Sequence, residues 1–193
     1  MLKIPLSYKL DWGIFMAHHW GNILLIAGSS RNVGKTTFIC QLLEQHRQQH
    51  PIAIKIAPHF HSITSGLKVI DETPNYQLFE ETERSISKDS SLFLQSGAVR
   101  SFYAQAHDEH LPELFMALLP FLDGKTPILI ESAALHKYVD AGLFLFIYDE
   151  QGERKNHTEA NLKIADFVVH SNGKSFSVHP SQLKFENEWK ITQ

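Results

Sequence analysis

Between Leu24 and Gln45 the chain reads LLIAGSSRNVGKTTFICQLLEQ, and its Gly34-Lys35-Thr36 has the residue types of a loop that cradles phosphate. Ser29, Ser30, Arg31, Asn32, Val33 and Gly34 can turn backbone N–H groups toward phosphate oxygens. The helix that follows adds the partial positive charge of its N-terminus. Lys35 would stand between the terminal phosphates, Thr36 would ligate a bridging magnesium ion, and Thr37 would donate to an inner phosphate. Arg31 is either a further cation on the transferring phosphate or a side chain turned to solvent. The usual spacing puts a first glycine where this chain has Ser29; Gly28 lies one residue earlier.

Other residues of chemical interest lie further along. Lys55 lies near the end of the apolar run IAIKIA and is read as a second cation for phosphate or substrate, because a buried unpaired lysine is costly. Glu131 ends PILIE, where the carboxyl end of a parallel strand faces a ligand. It either holds magnesium, directly or through water, or is a solvated strand-end acid. Asp89, in SISKDSS, is equally a magnesium ligand or a first-turn acid that suits the helix dipole. His59 and His61 alternate, so an extended chain would put both on one side, compatible with metal or phosphate contacts. Asn172, after DFVVH, is where a base contact can lie; the Asn-Lys-x-Asp that reads guanine in many GTPases is absent.

The elements that must position these residues are legible from apolar patterning. NILLIA, residues 22 to 27, is a short continuous apolar run of the kind buried on both faces of a sheet. Phe38, Ile39, Leu42 and Leu43 recur at helical spacing after Gly34. Pro51 ends that helix and IAIKIA follows, which predicts a parallel strand pair with a right-handed crossover, the second strand adjoining the loop. Residues 58 to 87 loosen, with LKVI and YQLFE around DETPN predicting a small hairpin over about 67 to 80 that flanks the site. A helix over 88–96, a strand from Ala98, a helix from about Asp108 to Leu122 capped by Asp108, and the strand ending at Glu131 come next. LFLFIY, a short helix over 159–165 and DFVVH complete the alternation.

The bulk properties narrow the class. The 193 residues, 43% hydrophobic, suit one domain, with residues 1–21 read as an N-terminal extension packed on it. A net charge of −3, from 18 basic and 21 acidic residues, argues against nucleic acid or an anionic membrane as the main partner. The single cysteine, Cys40, cannot form an internal disulfide, and no apolar run is long enough to cross a bilayer; both lead to the expectation of a cytoplasmic protein.

The Gly-x5-Gly-Lys-Thr spacing resembles dethiobiotin synthetases and cobyrinate amidating synthetases. Lys55 with His59 and His61, Asp89-Ser90 leading to Gly97-Ala98, and Glu131-Ser132 follow in an order similar to the MobB family of molybdopterin-guanine dinucleotide biosynthesis. The likeness runs over about residues 22 to 135 and departs from the family at Ser132, which stands where a glycine is usual. It implies an α/β three-layer P-loop NTPase fold with a mainly parallel sheet. It also implies binding of ATP or GTP with Mg2+, slow hydrolysis with Lys35, Lys55 and Glu131 as catalytic residues, and Thr36, Glu131 and Asp89 around the metal. An accessory role in molybdenum-cofactor maturation beside a partner protein of that pathway follows, and a homodimer is compatible with the class. Two other readings stay open: phosphorylation of a small carboxylate or carbamate, as dethiobiotin synthetases perform, and a nucleotide-gated partner-binding protein whose segment 58–87 reorders.

Overall fold

The computed structural model describes residues 18–152 and 158–192. Strand β1, His19–Gly28, has six consecutive buried residues, and its side chains alternate between two separate apolar clusters. Ile23, Leu25 and Ala27 enter one cluster; Leu24 and Ile26 enter the other. Strands β2 (Ile52–Ala57) and β6 (Ile128–Glu131) divide their residues in the same way, so the centre of the sheet is buried on both faces.

Helix α1, Lys35–Gln45, buries Phe38, Ile39, Leu42 and Leu43 on the Leu24 face, where α2, Asp89–Ser96, adds Phe93. Each fully buried side chain of this size contributes on the order of 1.5–3 kcal/mol by leaving water. The opposite face is covered by α3, Leu111–Leu118, through Leu111, Leu114, Phe115 and Leu118, and by Leu162 of α4, Thr158–Ile164. The result is an α/β architecture with helices on both faces of a mostly parallel sheet.

The eight strands run in the order β3-β4-β5-β2-β6-β1-β7-β8, where β3 is Leu67–Glu72, β4 Tyr76–Glu81, β5 Arg100–Ala106, β7 Asp140–Tyr148 and β8 Phe167–His170. All neighbours are parallel except β3 with β4 and β4 with β5. Two expectations change. Strands β1 and β2 run parallel, but β6 lies between them and pairs with both. The predicted hairpin is β3–β4, and through pairing of β4 with β5 it becomes the edge of the main sheet. An apolar run shows that a strand is buried; its partner is chosen by packing between residues far apart in the chain.

The helix expected over 108–122 is broken into two 3-10 turns around α3, and Asp108 does not cap it: its carboxylate accepts from Lys137 Nζ at 2.8 Å. Residues 19–21 of the expected N-terminal extension belong to β1, while residues 1–17, including Trp12, lie outside the described residues. Among the described residues no helix is long and apolar enough to cross a membrane.

A second, antiparallel hairpin, β9 (Leu183–Phe185) with β10 (Trp189–Ile191), was not visible in the sequence. Trp189 is buried beneath it and donates its indole N–H to the Asn22 carbonyl at 3.0 Å. At its turn, Glu188 meets His19 Nε2 at 3.2 Å, while His19 Nδ1 meets Asp140 at 3.1 Å. The bond to Glu188, helped by Asp140, outweighs partial burial and raises the His19 pKa above its ordinary value. A raised folded pKa gives stability that is complete below the unfolded pKa and lost as pH rises through the folded one. Thermal unfolding of wild type and His19→Gln should therefore show a gap at pH about 5.5 that closes by about pH 9. Because these side chains are half exposed, the gap should be small and should shrink with added salt.

Candidate functional site

The site assembles at the carboxyl ends of β1, β2 and β6, on the sheet face covered by α1 and α2. Pairing of β6 with both neighbours sets Ile26 and Lys55 on either side of Glu131, so the last residue of β6 sits beside Lys55 near the end of β2. Loop 29–34 leaves β1 and turns directly into α1. Gly28 is required there by close approach: a Cβ would lie 2.7 Å from Val33 Cγ1 and 2.9 Å from Lys35 Cδ. Asn32 and Gly34 adopt left-handed backbone, φ 59° and 98°, which closes the loop.

The loop is fastened from beneath. Val33 is buried in the core, so its side chain anchors the loop. Ser29 N–H donates to the Ile147 carbonyl at 3.0 Å, and Ser29 Oγ accepts from the Asp149 N–H at 3.1 Å. Ser30 Oγ bonds within the loop to the Arg31 carbonyl. Arg31, Asn32 and Thr37 are exposed around the rim. Helix α1 has no side-chain cap and no acidic residue in its first turn, so no side chain of the helix offsets the positive end of its dipole.

Four charged side chains and one hydroxyl converge beside this loop. Lys35 Nζ donates to the Ser30 carbonyl at 3.0 Å and lies 3.8 Å from Glu131 Oε1. Lys55 Nζ bridges Glu131 Oε1 at 2.5 Å and Asp89 Oδ2 at 2.9 Å. Thr36 Oγ1 donates to Asp89 Oδ1 at 2.9 Å. Asp89 reaches this network from the first residue of α2, and it does not cap that helix. A separate buried carboxylate, Glu81, holds the same turn by accepting from Ser90 Oγ at 2.8 Å, a support the sequence did not reveal.

The network is electrically balanced, with two lysines set against two carboxylates, and is buried most deeply at Glu131. Burial pulls the Lys55 pKa down, but the Glu131 and Asp89 carboxylates outweigh it and hold it above its ordinary value. Burial likewise pushes Asp89 up, while the Lys55 charge and the bonds from Lys55 and Thr36 bring it below the ordinary carboxylate value. Glu131 is only 5% exposed at its side chain, and its Oε2 is buried without a hydrogen-bond partner. A buried carboxylate oxygen left unpaired costs free energy unless a ligand, water or cation reaches it.

The remaining sequence candidates are placed less centrally. His59 and His61 sit on an irregular, exposed segment; the His61 backbone is clasped by Gln105, which accepts from its N–H at 2.5 Å. Among the described residues no three or more His, Cys, Asp or Glu side chains gather as a metal cluster, and these two histidines join none. Asn172 spends its side-chain oxygen on a local turn, accepting from Lys174 N–H at 3.0 Å and Ser175 N–H at 2.8 Å. Ser132 closes the turn after β6 by accepting from Leu135 N–H, which gives the departure from glycine a structural role.

Sequence reasoning missed Phe176. Its ring lies where a Cβ on Gly34 would come within 2.9 Å, and it packs edge-on against Phe38 with centroids 4.9 Å apart. The segment after β8 is thereby seated against the head of α1, although nothing in the sequence around Phe176 announces it. Scanned against protein-family models, curated proteins and solved structures, the chain matches none of them.

Proposed function

We propose that this chain is a magnesium-dependent nucleoside triphosphate-binding protein with a P-loop NTPase fold, taking ATP or GTP and hydrolysing it slowly. The observation that carries the reading is the convergence of Lys35, Thr36, Lys55, Asp89 and Glu131 at the head of an uncapped helix. Loop 29–34 and the first N–H groups of α1 wrap the phosphates. Lys35 leaves the Ser30 carbonyl and meets the terminal phosphates, and Lys55 offsets charge beside them.

The donor set fits magnesium. Thr36, Asp89 and Glu131 are hard oxygen donors, and Mg2+ in phosphate sites is held by one or two carboxylates, phosphate oxygens and water, not by an all-protein cage. The unpartnered Glu131 Oε2 offers a place for a metal-bound water. Bound magnesium would neutralise phosphate charge. Glu131 would orient water, and Thr36 and Asp89 would fix the metal's position. The ordered likeness to MobB proteins supports, as cellular setting, an accessory role in molybdenum-cofactor maturation with a partner protein of that pathway.

Nucleotide titrations with and without chelator test the metal role. Wild-type affinity for ATP or GTP should fall when magnesium is removed. Thr36→Val should bind about tenfold more weakly in magnesium, for loss of one charge-assisted contact, and equal wild type in chelator. Equal affinity of wild type and variant in magnesium would sink the assignment of Thr36 as a ligand.

A further inference from the structure

At the other end of α1 and α2 from the site described above, a cleft of about 360 Å3 is lined by Arg47, His50, Arg84 and the glutamines Gln48 and Gln95. Its apolar wall is Leu94, Ala98 and Val99, of which Val99 is half exposed. Since β2 and β5 are parallel, with Ile52 paired to Arg100, residues 50 and 97–99 lie at the amino ends of the strands, opposite loop 29–34.

The charge in this cleft is one-sided. Two guanidinium groups and an imidazole line it, and no carboxylate does. Both arginines are held by carbonyls at the C-terminal end of α2. Arg47 Nη2 donates to Ser96 O at 3.4 Å, and Arg84 Nη1 donates to Leu94 O at 2.5 Å. Among the described residues neither guanidinium has a carboxylate within ion-pair distance, in contrast to Arg100, which pairs with Glu80. A guanidinium carries five N–H donors, so each keeps most of its donors for another acceptor. Gly97 seats Arg47: its φ is 121°, and a Cβ there would lie 2.8 Å from Arg47 Nε.

We infer that this cleft binds a small organic phosphate, distinct from the nucleotide proposed above. Two guanidinium forks match phosphate oxygens bidentately, His50 adds a third donor, and the exposed side of Val99, backed by the buried Leu94 and Ala98, takes an apolar body. The volume falls within the range of small-molecule sites and holds one compact monoester.

Phenyl phosphate is the probe, with inorganic phosphate and phenol as arms that separate the anion from the ring. Backbone amide shifts of the full chain are followed by NMR in the Lys35→Ala background, which removes competition from loop 29–34. Phenyl phosphate should move the amides of Gly97, Ala98 and Val99, inorganic phosphate should do so more weakly, and phenol alone should not. Arg84→Gln should weaken binding at least about tenfold, for loss of a charged donor. Gln48→Glu, which sets a carboxylate in the acid-free lining, should do the same and guards against an unfolded Arg84 variant. Shifts confined to residues 29–37, or affinity unchanged in folded Gln48→Glu, would overturn the proposal.

Discussion

Lys35→Ala is expected to weaken binding of magnesium-ATP and magnesium-GTP by about 30-fold or more. The Lys35 side chain is 14% exposed and its Nζ donates to the Ser30 carbonyl within loop 29–34. Truncating one partner of a desolvated, hydrogen-bonded charge pair costs about 2–5 kcal/mol, and each 1.4 kcal/mol is about tenfold in affinity. The fold should survive, because Glu131 keeps Lys55 at 2.5 Å when Lys35 is removed. Calorimetric titration of folded wild type and variant decides the matter: tight binding indifferent to the substitution would remove the basis for the proposed function.

Lys55→Met is expected to destabilise the protein by about 3 kcal/mol, the lower end of what removing one partner of a buried ion pair costs. Glu131 would keep only Lys35 at 3.8 Å, with its Oε2 already unpartnered. Methionine replaces the stem of the lysine, so the penalty comes from the stranded carboxylate and not from a cavity. The double variant Lys55→Met with Glu131→Leu should recover most of that loss, because a buried ion pair exchanged for apolar groups is often neutral or stabilising. Asp89, 37% exposed and bonded to Thr36, tolerates the loss of Lys55 better. Denaturant unfolding of the four-member cycle measures the coupling. Additive single losses would show that Lys55 and Glu131 do not act as a pair.

The pH course of the same cycle carries a sign at each end. Lys55 has a raised folded pKa, so its contribution is complete below the ordinary lysine value and is lost as pH rises through the higher folded one. Asp89 has a lowered folded pKa, so its contribution is complete above the ordinary aspartate value and is lost as pH falls through the lower folded one. The gap between wild type and Lys55→Met should therefore be widest across the neutral range and narrow toward both strong acid and strong base.

Loop 28–37 and α1 were legible because their determinants are neighbours in the chain. An apolar run ends at Gly28, Gly-Lys-Thr-Thr follows, and Phe38, Ile39, Leu42 and Leu43 repeat at helical spacing. Gly28, one residue out of the usual place, is explained by contact: Lys35 and Val33 fold back over it and leave no room for a Cβ. The candidates Lys55, Asp89 and Glu131 were also readable as charges near a strand end or at a helix start, but not as one network. Asp89 fitted two descriptions equally, and the bonds from Thr36 and Lys55 set its geometry.

By itself the sequence determined the alternation of strands and helices, the turn into α1 and the residue types near it, because local patterning fixes which face of an element leaves water. Only the tertiary structure decided that β6 enters between β1 and β2, that Glu131 therefore lies between Ile26 and Lys55, and that Phe176 closes over Gly34. Those choices rest on packing between residues remote in the chain, where an apolar run offers many equivalent partners and only the filled core distinguishes them.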